Sequence, residues 1–321
     1  MKPKLLRCVI ALLAGSALLL VAEFIARRGV PQSQLTPYRT ARIEGLPAEL
    51  RPSFETLWQG AQVHINSSGF RGPEFSAPQP DVLRIALVGD SFAFGSGVEF
   101  EDTLGARLEL ALAERGQPAL VLNCGVPGYN AGDVATNLET YVLPLEPHVV
   151  VYLAFANDTD PPLRYGEIDP TRVPDTYSRF PMRSAFLEWC SVNVREGLAM
   201  LGMNQAKNRP ELHGQSYAKA GGERMRSALT RMQALCTQAE LRLVLAIHPF
   251  MFKAARNPFL QVEQGMARDG DALGLEVVPL DRAFEGRDRR ALWADPIYDS
   301  HPNGEANGLS AAWLAGVLMS D

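Results

Sequence analysis

Ser91 lies in the segment Gly89-Asp90-Ser91, and His301 lies in Asp299-Ser300-His301-Pro302-Asn303. A serine hydroxyl becomes a nucleophile when an imidazole takes its proton. The imidazole does this best when a carboxylate holds its other ring nitrogen. Ser91, His301 and Asp299 supply those three groups. Attack on a carbonyl also requires donors for the oxyanion that develops. The run from Asn123 to Asn130, with Gly125 and Gly128, offers a glycine N–H, and Asn157, in Phe155-Ala156-Asn157-Asp158, offers a side-chain amide. Each segment has a plainer reading beside this one. Ser91 can cap a helix, Gly128 can serve a Gly-Pro turn, and Asn157 can serve a turn or cap.

Five histidines compete for the role of base. His64 falls in an amino-terminal extension, His213 in an insertion, and His148 at the start of a strand, the wrong edge of a sheet for this chemistry. His248 follows a strand at the right edge and is the serious rival. The neighbouring acid favours His301. Asp299 stands two residues before it, Asp295 is the substitute acid, and Asp281 reads as a cap of a loop or helix.

These residues need a frame that brings distant segments together. Apolar runs at Leu83–Val88, Ala119–Asn123, His148–Ala154, Leu241–Ile247 and Leu275–Leu280 read as strands. Between and after them, helical spacing marks 103–115, 131–143, 220–238, 259–272 and 305–319. Near-continuous apolar strands alternating with helices predict a parallel sheet covered on both faces, a three-layer α/β/α domain. Such a sheet binds ligands at the carboxyl ends of its strands. Ser91, Gly128 and Asn157 each follow a different strand, and His301 sits in the loop before the last helix. A proline-rich insertion at 159–216 interrupts the rhythm, with a helical stretch near 183–202. Its position at a strand end suits the shaping of a pocket. Its aromatic residues, such as Tyr165 and Trp189, read first as its own core.

The bulk numbers agree with a globular enzyme-sized domain: 321 residues, 46% apolar and 21% charged. A net charge of −5 with no basic run beyond the amino terminus argues against a nucleic-acid partner. No GxxxxGK or GxGxxG motif and no CxxC pair is present, so no nucleotide, metal or redox cofactor is implied. Cys8 and Cys124 read as small buried hydrophobes, and Cys190 and Cys236 are the pair open to a disulfide in an oxidising compartment. Lys2, Lys4 and Arg7 precede an uncharged run from Cys8 to Ala22, extended to Ala26 if Glu23 sits at an interface. That pattern predicts residues 1–28 as an uncleaved signal anchor, a transmembrane helix with the remainder outside the cytoplasmic membrane. Residues 29–80, rich in Pro, Ser, Gln and Gly, read as a stalk or an extension packed on the domain, and 81–321 as the domain itself.

Taken together, Gly89-Asp90-Ser91, Gly128 in NCGVPGYN, Asn157 in FAND, and Asp299 and His301 in DSHPN resemble the blocks of the SGNH hydrolases, the GDSL-type esterase/lipase superfamily. The run Asn66 to Glu74 also resembles the stretch before the serine block in membrane-anchored bacterial members. The resemblance spans roughly residues 64–318, and the insertion matches poorly. It implies a flavodoxin-like five-stranded parallel sheet. It further implies Ser91 as nucleophile, His301 as base, Asp299 as orienting acid, and Ser91 N–H, Gly128 N–H and Asn157 as oxyanion donors. Two positions depart from the family pattern. Phe155 stands where a glycine is usual, and the acid is two rather than three residues before the histidine, where Tyr298 stands.

The activity implied is ester hydrolysis through an acyl-serine, outside the cytoplasmic membrane. The substrate would be an acylated small molecule or an O-acetylated cell-surface glycan. An O-acyltransferase using the same triad, and a non-catalytic binding protein that kept the fold, are the alternatives.

Overall fold

A computed structural model of the chain describes residues 15–24, 37–39, 41–161, 217–251, 257, 259–295 and 299–320. The centre is a five-stranded parallel sheet of β5 (Leu83–Gly89), β6 (Ala119–Gly125), β7 (Val149–Ala154), β8 (Arg242–Ile247) and β9 (Glu276–Pro279). Its spatial order is β6-β5-β7-β8-β9, with every neighbouring pair parallel. That is the 2-1-3-4-5 order of flavodoxin-like sheets, and the strand order reverses between β5 and β7. The five strands expected from the sequence are the five observed, each within two residues at its ends.

Both faces of the sheet are buried, which is why its strands are apolar throughout. Ile85 and Leu87 of β5 join Leu104, Leu108 and Leu112 of α3 (Leu104–Ala113) and Leu314 and Leu318 of α7 (Gly304–Leu318) in one cluster. Ala86 and Val88, on alternate positions, face the other cluster. There α4 (Ala131–Asn137), α5 (Gly222–Gln238) and α6 (Leu260–Ala272) contribute Val134, Met225, Met232, Val262 and Met266. The short α2 (Ser91–Phe94) leaves the end of β5. The helix expected over 131–143 is α-helical only to Asn137. It continues as a π-turn, Leu138–Val142, and a 3-10 turn, Leu143–Leu145, where Pro144 supplies no N–H.

Residues 41–80 are built into this core. β1 (Tyr38–Arg39) pairs with β2 (Glu49–Leu50), and β3 (Phe54–Trp58) with β4 (Ala61–Ile65), both antiparallel. Leu46, Leu50, Val63, Ile65 and Phe70 are buried in the same cluster as α4 and α5. A stalk would leave these side chains in water, at a cost of roughly 1.5–3 kcal/mol each. Two hydrogen bonds tie the segment to the loop after β6: Tyr38 Oη to the Pro127 carbonyl at 3.2 Å, and Tyr129 Oη to the Ala48 carbonyl at 2.6 Å. The folded unit therefore begins well before residue 81.

The expected anchor falls largely outside the described residues. Its described part, α1 (residues 15–24), is helical, and Leu18, Leu19, Leu20 and Val21 on it are exposed. Among the described residues no helix is long and apolar enough to cross a membrane. The insertion from residue 162 to 216, with Cys190 and His213, also lies outside them. Cys236 is buried, and Cys190, the partner open to it in the sequence, lies outside the described residues.

Candidate active site

The loop from β5 into α2 turns at Gly89, with φ of +154°. A Cβ there would stand 2.7 Å from the Leu153 carbonyl oxygen, so only glycine lets β5 and β7 close at this point. Gly125 at the end of β6 has the same need, because a Cβ would lie 2.2 Å from the Phe94 nitrogen. These two glycines let α2 rest directly on the strand ends. Asp90 is the N-cap of α2, its Oδ1 accepting the Phe92 N–H at 2.9 Å. Capping thus falls to Asp90, and Ser91 is the first helical residue, with its hydroxyl left for other contacts.

The principal contact of that hydroxyl is His301. The imidazole Nε2 lies 2.8 Å from Ser91 Oγ, a hydrogen bond across the fold between the end of β5 and a hairpin where the sequence suggested only a loop. His301 is carried on β11 (Asp299–Pro302), which pairs antiparallel with β10 (Trp293–Asp295). Trp293 Nε1 anchors this hairpin on the Met251 carbonyl at 2.7 Å. Immediately after it, Asn303 caps α7 by accepting the Ala306 N–H at 3.0 Å. Asp295 and Asp299 are opposite each other in the β10–β11 register. The side chains of these two candidate acids lie outside the described residues.

Asn157 sits in a 3-10 turn, Ala156–Thr159, directly after β7. It is not the cap of that turn. Phe155 is the N-cap, and Asp158 reaches back to it, its Oδ2 accepting the Phe155 N–H at 3.0 Å and the Tyr152 hydroxyl at 2.7 Å. Asn157 instead donates its Nδ2–H to Asp90 Oδ2 at 2.9 Å, while its Oδ1 is buried without a partner. One amide hydrogen is thereby committed to Asp90, and the other remains for a ligand. Gly128 has φ of +86° in the turn closed by Tyr129 N–H to the Val126 carbonyl at 3.2 Å, with Pro127 before it. Proline followed by left-handed glycine is the type II turn pattern. The turn does not consume the Gly128 N–H, which has no hydrogen-bond partner among the described residues.

Asp90 is wholly buried. Burial pushes its pKa above the usual carboxylate value, against the pull of the Phe92 N–H, Asn157, His301 and the Ser91 hydroxyl. Its Oδ2 is 3.4 Å from Ser91 Oγ, a weak contact beside the 2.8 Å bond to His301. His248, the rival base, meets Phe92 rather than Ser91, with ring centroids 4.9 Å apart. Its Nδ1 lies 2.8 Å from the Pro249 carbonyl oxygen, which makes Nδ1 the protonated nitrogen, and its Nε2 is buried without a partner. Burial lowers its pKa to about 4. The other two described histidines are remote. His148 Nδ1 accepts the Arg84 N–H at 3.1 Å at the opposite end of the sheet, and His64 pairs with Glu55 on β3.

Phe155, the residue in the usual glycine position, lies against the ring of Phe92. Their centroids are 4.1 Å apart with planes at 23°, and Phe250 stacks with Phe155 at 5.9 Å with planes at 22°. Three rings therefore stand side by side past the ends of β5, β7 and β8.

Of the residues singled out in the sequence, Ser91, His301 and Asn157 are joined through direct contacts or through Asp90, and Gly128 lies on the adjoining turn. Asp90 itself was missed. A signal existed: an aspartate two residues before the second helical residue has N-cap spacing. Its bond to Asn157 left no trace in the sequence. Among the described residues, no group of three or more His, Cys, Asp or Glu side chains is placed to hold a metal ion.

A family model described as GDSL-like lipase/acylhydrolase matches residues 87–309. No curated protein matches the chain. Among solved structures, an alpha/beta hydrolase enzyme, LAE5, from the metagenome of Lake Arreo is 19% identical. The match covers 77% of this chain and 99% of that one, with a TM-score of 0.44. A GDSL-like lipase from Bacteroides thetaiotaomicron is 12% identical over 76% of this chain and 91% of its own, with a TM-score of 0.40. A two-domain esterase active on acetylated mannans is 14% identical over 74% of this chain and 49% of its own, with a TM-score of 0.43. At such identities and scores, none of the three carries a substrate over to this chain.

Proposed function

The chain belongs to the GDSL-like lipase/acylhydrolase family, which makes it a carboxylic ester hydrolase, and on that premise we propose that it works through an acyl-serine formed on Ser91. The observation that carries this reading is the 2.8 Å contact between Ser91 Oγ and His301 Nε2. Ser91 Oγ attacks the ester carbonyl as His301 Nε2 takes the hydroxyl proton. Asp299 orients the imidazole, with Asp295 as the substitute. The oxyanion is met by the Ser91 N–H, the Gly128 N–H and the free amide hydrogen of Asn157. His301 then gives its proton to the departing alkoxide, and the alcohol leaves. Water, deprotonated by His301, attacks the acyl-serine, releasing the carboxylic acid and restoring Ser91.

The substrate class proposed is an acylated small molecule or an O-acetylated glycan at the cell surface, met outside the cytoplasmic membrane. Support for that location is the basic start of the chain, the uncharged run after it, and the exposed leucines of α1. The test of the chemistry is labelling with a fluorophosphonate. Wild-type protein is expected to be labelled at Ser91 and to hydrolyse a short p-nitrophenyl ester. Ser91→Ala should abolish both, and His301→Ala should depress both. A folded wild-type protein that takes no label would leave the non-catalytic alternative in possession.

A further inference from the structure

The Asn66–Glu74 run has no part in the chemistry just described, yet it delivers Arg71 into the interior. The loop is tied to itself. Asn66 Oδ1 accepts the Ser68 and Phe70 N–H groups at 3.1 and 3.0 Å, and Asn66 Nδ2 donates to the Pro73 carbonyl at 3.0 Å. Arg71 follows and is only 1% exposed. Among the described residues no carboxylate lies within ion-pair distance of its guanidinium. Its two terminal nitrogens meet main-chain carbonyls, while Nε is buried without a partner: Nη1 donates to Phe94 O and Gly95 O, and Nη2 donates to Val98 O at 2.6 Å and Gln62 O at 3.3 Å. It also lies 5.0 Å from the centre of the Phe94 ring.

Three of those four carbonyls belong to the last residue of α2 and the loop after it. A single helical turn leaves closing carbonyls without intrahelical donors. Arg71 and Asn123 Nδ2 share the last of them, Phe94 O, and Arg71 also holds the Gly95 and Val98 carbonyls of the loop that follows. Burying a cation is costly, and Glu99 and Glu101 offset only part of that cost through their charge. Burial draws its pKa down to about 10, so it remains charged at neutral pH. A planar fork with two terminal nitrogens can reach four carbonyls at once, which a lysine ammonium cannot.

We propose that Arg71 is a positioning residue for Ser91: it clamps the carboxyl end of the one-turn helix that carries the serine, and so holds the hydroxyl at His301. The proposal rests on the hydrolase reading above. The test uses the full chain with Arg71→Lys and Arg71→Met, and Asn66→Ala as a milder variant that loosens the loop presenting Arg71. The active serines of each preparation are titrated with a fluorophosphonate, and kcat and KM on a short p-nitrophenyl ester are expressed per titrated serine.

Small displacements of a reacting group cost up to about 10²-fold in rate. Arg71→Lys should therefore lower kcat per titrated serine and the labelling rate constant by about 10- to 100-fold with KM unchanged, and Asn66→Ala should lower them less. Wild-type kcat per titrated serine in Arg71→Lys or Arg71→Met, whatever fraction of protein is folded, overturns the proposal and reduces Arg71 to a structural part. So does a change confined to KM. If wild-type Ser91 takes no label at all, the hydrolase reading fails first and takes this proposal with it.

Discussion

Asp90 and Asn157 share a hydrogen bond of 2.9 Å, from the amide Nδ2 to the carboxylate Oδ2. The other oxygen of Asp90 caps α2 through the Phe92 N–H. One buried carboxylate therefore fixes both the helix that carries the nucleophile and the amide assigned to the oxyanion. Asp90→Asn keeps one acceptor oxygen and sets an NH2 group against another. It can cap the helix or hold Asn157, but not both. We expect kcat to fall by about 10²-fold with KM little changed, approaching the about 10²–10³-fold loss of Asn157→Ala. In a double-mutant cycle on p-nitrophenyl acetate the two losses should not add. Additive losses would show that Asp90 acts independently of Asn157.

Beside Ser91, Phe92 stacks on Phe155, which stacks in turn with Phe250 past the ends of β7 and β8. A long acyl chain has little room there, so acetyl esters should be preferred over octanoyl esters. Phe155→Leu shortens the obstruction while keeping much of the buried volume. Its ratio of kcat/KM on octanoate to that on acetate should rise by about tenfold, the scale of discrimination by pocket size. An unchanged ratio would place the acyl group elsewhere.

Buried His248 titrates near 4 in the folded chain because its cation is poorly solvated and because Arg289 and His301 oppose a further positive charge. In the unfolded chain it titrates at about 6.5. Between those values the unfolded state binds the proton and the folded state does not, so this group lowers stability as pH falls from about 6.5 towards 4. The full effect is on the order of 3 kcal/mol. Asp133 acts in the opposite sense over part of this range, since burial raises its pKa to about 6. The informative measurement is therefore a difference. Urea denaturation of wild type and His248→Gln at pH 7 and pH 4.5 should show a smaller acid loss in the variant. Equal losses would show that His248 is not the source.

The Tyr129 hydroxyl, bonded to the Ala48 carbonyl, joins the oxyanion loop to the amino-terminal hairpins. Tyr129→Phe leaves that buried carbonyl unpaired, at a cost of about 1–3 kcal/mol. A thermal midpoint lower by roughly 2–4 °C per kcal/mol is expected. A midpoint equal to wild type would mean that the carbonyl finds another donor.

Much of the fold was legible because its signals are local. Leu83–Val88 announces a doubly buried strand by being apolar at every position, and Gly89 after it marks the turn. Residues 41–80 were not legible in the same way. Their strands are short, and Leu46, Leu50 and Phe70 are spaced by no single period, so only the partner surface reveals them as core. In the candidate site, Ser91, Gly128 and Asn157 stood out because each follows a strand end, and His301 because an acid stands two residues before it. The run Asn66–Glu74 stood out by resemblance, but the burial of its Arg71 gave no signal, since a buried arginine and a surface arginine read alike in a sequence.

By itself the sequence determined the alternation of strands and helices, the parallel sheet that alternation requires, and the edge at which its polar residues gather. Those follow from periodicity and from glycine at strand ends, which act over a few residues. Only the tertiary structure decided that His301 and not His248 meets Ser91, that Asp90 rather than Ser91 caps the helix while holding Asn157, and that Arg71 closes on the carbonyls beyond Phe94. The Ser91–His301, Asp90–Asn157 and Arg71 contacts join residues far apart in the chain. They depend on how sheet, loops and hairpins pack, which no local pattern records.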